Sequence, residues 1–175
     1  MTKTNLITKL TLTSILIALN IIMERFLAYS VWNLQLSFSF IIIAFASVFL
    51  GIPYAVITAT VGDILGTLLF PTGPYFVGFT ITNALMAFTT AIFIYKKINI
   101  YKIFSSVLIN KLLFSLFLNS LWISILYRGG IKDFFIVAIP RIPTAAVTLV
   151  LEAYVIYLLF SEKSKFRKTF KKILK

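Results

Sequence analysis

The 175-residue sequence contains no cysteine and no histidine, and only five acidic residues stand against 17 lysines and arginines. Without cysteine the chain has neither disulfides nor thiolate metal sites, and without histidine it lacks the commonest general base and metal ligand. It also has no glycine-rich loop with a phosphate-binding lysine. We therefore predict that the protein is not an enzyme, holds no metal or cofactor, and needs other subunits for any process driven by ATP.

Apolar residues make up 60% of the sequence, charged residues only 13%, and the mean hydropathy is +1.00. Soluble domains do not reach these values, so the composition indicates an integral membrane protein. At about 20 residues per helical span, the chain has room for about six spans and no soluble domain. The net charge of +12 lies mostly beside the apolar runs and in the C-terminal tail. This pattern favours anionic lipid or membrane topology over nucleic acid.

The apolar runs predict an all-α, multi-pass membrane protein with a single domain over residues 1–175. We expect six transmembrane helices, at about 6–23, 34–50, 53–69, 75–95, 103–127 and 134–160, and a basic tail at 161–175. The first run is interpreted as a retained span and not a signal peptide. Lysines are concentrated in alternate loops and in the tail, so the positive-inside rule places both termini in the cytoplasm.

Proline, glycine and aromatic residues are concentrated in the segment 70–80, FPTGPYFVGFT. Proline stops a regular helix and glycine permits unusual backbone angles, so the segment is predicted to form a shaped hairpin on the outer side. One interpretation is an interfacial turn within an aromatic belt. The interpretation we favour is one wall of a ligand site, with Gly78 letting the backbone approach the ligand and Phe76 or Phe79 stacking on it.

Three charged residues interrupt the apolar spans: Asp63, Lys111 and Glu152. A charge inside a membrane costs about 2.5 to 3.5 kcal/mol on insertion scales, so each needs a partner or a purpose. We predict that Lys111 pairs with Glu152 or Asp63. The group is interpreted as a structural network, with a proton or cation relay as the alternative.

Three arginines, Arg25, Arg128 and Arg141, are predicted on the outer side. Arginine binds carboxylates through two hydrogen bonds and stacks on planar rings, which favours a flat, aromatic and anionic ligand. Arg25 and Arg141 are expected to matter more than the better-solvated Arg128. Asn83 and Asn119 would read the edges of the ligand. The aromatic residues expected near these groups are Trp32, Tyr75, Phe76, Phe79, Trp122 and Tyr127.

Several sequence blocks occur in an order and spacing that resemble a known family. The blocks are residues 25–27 (RFL), 38–40 (FSF), 51–54 (GIPY), 62–66 (GDILG) and 70–80, followed by Asn119, Trp122, Tyr127 and Arg141. They resemble the substrate-binding S components of energy-coupling factor (ECF) vitamin transporters, specifically those for folate. The resemblance implies a six-helix subunit of the bacterial plasma membrane that captures folate at its outer face.

The same resemblance implies partners and further site residues. The partners would be a transmembrane coupling subunit and two ATP-binding cassette ATPases. The coupling subunit would meet the first helix at Ser14 and Ala18, where the family uses two alanines. Phe38 joins the candidate folate-binding residues through its block. Two alternatives remain, an S component for another vitamin and a structural membrane protein of the cell-shape machinery.

Overall fold

The computed structural model describes residues 6–31, 34–71, 73–95, 98–161 and 164–173. Trp32, one of the predicted ligand contacts, lies outside these residues. Within them the chain is almost entirely helical, with one short hairpin of two strands. The elements are α1 Leu6–Arg25, β1 Tyr29–Val31, β2 Leu34–Leu36, α2 Ser39–Phe49, α3 Ile52–Leu69, α4 Val77–Ile94, α5 Ile100–Ile109, α6 Asn119–Tyr127, α7 Phe134–Ala138, α8 Ile142–Phe160 and α9 Lys165–Ile173.

Five helices in the described part of the chain are long and apolar enough to cross a membrane. They are Leu6–Arg25, Ile52–Leu69, Val77–Ile94, Ile100–Tyr127 and Ile131–Phe160. The all-α membrane fold is thus confirmed, whereas the count of six spans is corrected. Helix α2 is apolar but has only 11 residues, which at 1.5 Å per residue reach about 16 Å across a hydrocarbon core of about 30 Å.

The difference arises at the start of the predicted second span, 34–50. Residues Leu34–Leu36 form β2, which pairs antiparallel with β1 so that Tyr29 faces Leu36. Polar and apolar residues alternate from Gln35 to Phe40, and this period of two is the pattern of a strand. Because the run is apolar on average, its hydropathy predicts a span from residue 34, whereas the helix begins only at Ser39.

Helix α3 packs between α1 and α4. It begins after Gly51, whose φ of +101° favours glycine. Its buried face consists of small residues, and two of its glycines allow α1 to come close. A Cβ on Gly62 would lie 2.7 Å from Asn20 Nδ2, and one on Gly66 would lie 3.2 Å from Arg25 Nε. Small residues thus bring two polar α1 side chains against α3.

The helix Ile100–Tyr127 is not uniformly α-helical, because residues Asn110–Leu118 form a π-helical segment between α5 and α6. A π-helix is wider than an α-helix and is frequently found at functional sites. The segment contains Asn110 and Lys111, so it determines where these two polar side chains point.

The last long helix, Ile131–Phe160, begins with 3₁₀ turns around α7, and Pro140 lies in the second of them beside Arg141. The apolar core lies towards the opposite end of the bundle. There Ile94, Ile103 and Phe160 are almost fully buried in one cluster. The bundle is therefore closed at the end predicted to face the cytoplasm, and a cavity lies beyond this cluster.

Candidate functional site

A cavity of about 210 Å³ lies among the helices. All the long helices and α2 contribute side chains to its wall. The lining is unusually polar for the interior of a membrane protein. It includes four asparagines, Asn20, Asn83, Asn110 and Asn119, and four ionisable residues, Glu24, Lys111, Arg141 and Glu152.

Lys111 and Glu152 form an ion pair on the cavity wall. Lys111 Nζ donates to Glu152 Oε1 at 2.6 Å, and each side chain is 15% exposed. The predicted pairing of Lys111 with Glu152 is confirmed. Because both residues line the cavity, the pair lies where a ligand would contact it, which a purely structural network does not require.

Asp63, the alternative partner of Lys111, has a different role. Its carboxylate accepts hydrogen bonds from Thr80 Oγ1 at 2.5 Å and from Asn83 Nδ2 at 3.1 Å. The Thr80 hydroxyl is also 3.2 Å from that of Tyr75. Asp63 thus fixes the orientation of the Asn83 amide, which leaves the amide oxygen of Asn83 available to the cavity that this residue lines.

Four polar atoms on cavity-lining residues are buried without a hydrogen-bond partner among the described residues. They are Asn20 Oδ1, Asn110 Oδ1, Asn119 Oδ1 and Arg141 Nη1. A buried polar group left unsatisfied costs about 1 to 3 kcal/mol. Their collection around one cavity is the arrangement expected of a site that gains its hydrogen bonds from a ligand.

Of the ten predicted ligand contacts, Asn83, Asn119 and Arg141 line the cavity. Arg25 lies beside α3, where its Nη2 donates to Thr67 Oγ1 at 2.6 Å. Phe38 is 47% exposed, and its ring lies 6.4 Å from that of Phe40. Phe40 is itself part of the cavity wall.

The remaining described candidates form an aromatic cluster outside the cavity lining. The Phe76 ring lies 5.9 Å from Phe79 and 5.5 Å from Trp122, and Trp122 Nε1 donates to Thr82 Oγ1 at 3.1 Å. A Cβ on Gly78 would collide with Phe76 and would lie 2.9 Å from the Trp122 ring. Gly78 thus makes room for two side chains of the protein itself.

Sequence reasoning missed the contribution of α1 and the π-helical segment to the site. Asn20 and Glu24 are four residues apart and therefore share one helical face, where Asn20 Nδ2 lies 3.4 Å from Glu24 Oε2. Two polar residues at this spacing inside an apolar helix could have indicated, from the sequence alone, that this face of α1 contributes to the site. Asn110 was not among the predicted site residues, because nothing in the sequence indicates the π-helical geometry of the segment that contains it.

Comparison with known proteins adds to this geometry. Residues 8–160 match the family model described as "ECF transporter, substrate-specific component". The chain is 32% identical to the folate transporter FolT of Clostridium novyi (strain NT) over 143 residues, which cover 81% of each chain. It is 28% identical to FolT of Leuconostoc mesenteroides over 119 residues, covering 67% of this chain and 64% of that one.

A solved structure is also similar. The crystal structure of FolT bound with folic acid superposes with a TM-score of 0.81 at 28% sequence identity. The superposition covers 90% of this chain and 95% of that one.

Proposed function

Because the chain belongs to the family of ECF transporter substrate-specific components, we propose that it captures folate as the substrate-binding subunit of an ATP-driven vitamin importer. Membership of this family makes it a multi-pass membrane protein and a transport component, not an enzyme. It also sets aside a structural role in the cell-shape machinery. The proposal goes further by assigning folate as the ligand and the polar cavity as its site.

The observation that carries the proposal is the set of unsatisfied polar atoms around the cavity in a chain that is similar to folate transporters. Folate combines a flat pterin, an aromatic linker and a glutamate tail with two carboxylates. The pterin presents hydrogen-bond donors and acceptors along its edge, which the asparagine amides complement. The cavity offers polar atoms at fixed positions, which hydrogen bonding to the edge of such a ring requires.

The charges around the cavity indicate which part of folate lies deepest. The carboxylates of Glu24 and Glu152 can accept hydrogen bonds from the amino and ring N–H groups of a pterin, and neither of them attracts the anionic glutamate tail. We therefore place the pterin on the side of the Lys111–Glu152 pair. The tail then extends towards Ser37 and Ser39, which line the cavity at the start of α2. Arg141 also lines the cavity and would contribute the positive charge that the carboxylates need.

The chain has no nucleotide-binding motif, so transport requires partners that supply ATP hydrolysis. The proposed partners are a transmembrane coupling subunit and two ATPases. Ser14 and Ala18 remain candidates for the contact with the coupling subunit, because both are exposed on α1. The Ser14 hydroxyl donates to Leu10 O at 3.1 Å, so this polar group is hydrogen-bonded within the helix, and both side chains are small enough to let another helix come close.

A vitamin panel tests the proposed ligand. The purified protein is heated in detergent with folic acid, riboflavin or thiamine, and the unfolding temperature is compared with that of the unliganded chain. A ligand that binds only the folded state raises this temperature according to its concentration relative to its Kd. Folic acid is expected to stabilise and the others are not. Stabilisation by another vitamin alone would show an S component of different specificity.

A further inference from the structure

The C-terminal helix α9, Lys165–Ile173, has two chemically different faces. Phe166 and Phe170 are one helical turn apart, and their rings lie 4.8 Å from each other. Five of the nine residues of the helix are Lys or Arg, and none is acidic. A short, strongly basic helix with aromatic residues on one side is typical of a segment that lies at a membrane surface.

The aromatic face of α9 is held against the helix bundle. The Phe170 ring lies 6.0 Å from that of Phe49, and the Phe166 ring lies 5.9 Å from that of Phe160. Phe49 is the last residue of α2 and Phe160 the last of α8. Helix α9 therefore packs beside the end of the helix Ile131–Phe160, which is long and apolar enough to cross a membrane, and the end of a spanning helix is expected near the lipid headgroups.

The basic face points away from these contacts. Lys165 and Lys168 are both exposed, and among the described residues neither forms an ion pair with a carboxylate. In a helix with 3.6 residues per turn, Lys165 and Lys168 are three positions apart and lie on neighbouring parts of one surface. Their position relative to Phe166 and Phe170 gives the helix a basic surface at headgroup depth.

We propose that α9 is a docking surface for anionic phospholipid headgroups of the leaflet on the side of the C-terminus. A protein partner fits less well, because interfaces depend on buried aromatic or aliphatic anchors. Both phenylalanines of α9 pack against rings of the chain itself, although Phe166 is still 37% exposed. The surface left for a partner is mainly the exposed positive charges of Lys165 and Lys168, which suit the phosphates of an anionic bilayer. This inference is independent of which vitamin the cavity binds.

The test compares phosphatidylglycerol with phosphatidylcholine as ligands of the full chain in neutral detergent micelles. Lipid binding is measured by native mass spectrometry. Lys165→Gln/Lys168→Gln removes two exposed ion pairs with the headgroup phosphate, so it should weaken phosphatidylglycerol binding about 2- to 25-fold and leave phosphatidylcholine unchanged. The matched control is Arg128→Gln/Lys132→Gln, which removes two exposed charges, one just after α6 and one in the 3₁₀ turn that begins the helix Ile131–Phe160, and should leave phosphatidylglycerol binding as in the unmodified chain.

A second measurement needs no variant. Raising the salt concentration should weaken phosphatidylglycerol binding to the unmodified chain, since salt screens exposed charges. The proposal is overturned if the α9 variant retains lipid as the unmodified chain does, or if both lipids bind equally at all salt concentrations. It is also overturned if Lys165 and Lys168 become inaccessible to solvent only when the ATPases are added, because that result would assign α9 to a protein contact.

Discussion

The ion pair between Lys111 and Glu152 leads to a quantitative prediction about stability. At a separation of 2.6 Å the Coulomb attraction is about 6 kcal/mol for an effective dielectric constant of about 20, and the cost of removing both charges from water offsets much of it. Removing one partner leaves the other charge buried and unpaired. We expect Lys111→Met and Glu152→Gln each to lower the free energy of unfolding by about 3 to 5 kcal/mol.

The double variant, Lys111→Met/Glu152→Gln, should be much more stable than the sum of the two losses predicts. The expected coupling energy is about 2 to 3 kcal/mol, at the upper end of the range for residues in contact. The assay is unfolding of the purified protein in detergent without folate, applied to all four members of the cycle. Additive losses would refute the reasoning. The control cycle pairs Lys111→Met with Asp63→Asn, for which we expect near-additive losses, since Asp63 bonds to Thr80 and Asn83 instead.

Three further substitutions separate folding from binding. Asn119→Leu removes a buried oxygen that has no partner among the described residues, so thermal unfolding should show unchanged or higher stability, whereas folate binding should weaken by about 1 to 3 kcal/mol. Gly78→Ala should lower the free energy of unfolding by about 1 to 3 kcal/mol, because the new methyl group collides with the rings of Phe76 and Trp122. An unfolding temperature equal to that of the unmodified chain would contradict this. Asp63→Asn should cost about 1 to 3 kcal/mol of stability and also weaken folate binding, because the Asn83 amide loses a charged acceptor. If calorimetry finds unchanged affinity, Asn83 does not contribute to folate binding.

Much of the fold could be predicted because hydropathy reports directly on membrane burial. The first helix is expected at 6–23 and observed at Leu6–Arg25. The same measure fails for α2, where apolar content conceals the alternation that makes residues Leu34–Leu36 a strand. Hydropathy also gives no signal for the π-helical segment Asn110–Leu118. The tail was expected only to be basic, since a helix of nine residues gains its stability from packing on the bundle.

The family and the absence of enzymatic chemistry could be predicted from the ordered sequence blocks and from the missing histidine and cysteine. The site was harder, because depth along a helix does not say which direction a side chain faces. The pairing of Lys111 with Glu152 could be predicted because each is a charge inside an apolar span, yet their position on the cavity wall requires the tertiary structure. The many aromatic residues in the segment around Phe76 predicted that these rings face a ligand. The fold instead packs Phe76 against Trp122, and a role for these rings in binding remains a prediction.

The most direct measurement is the equilibrium binding of folate to the purified protein and to a matched pair of arginine variants. Arg141 lines the cavity, and its Nη1 is buried without a partner among the described residues, whereas Arg128 is exposed. Calorimetry should find one folate per chain, at least tenfold weaker binding for Arg141→Gln, which corresponds to about 1.4 kcal/mol, and unchanged affinity for Arg128→Gln. No folate binding, or equal affinity for all three proteins, would contradict the assignment of folate to this cavity.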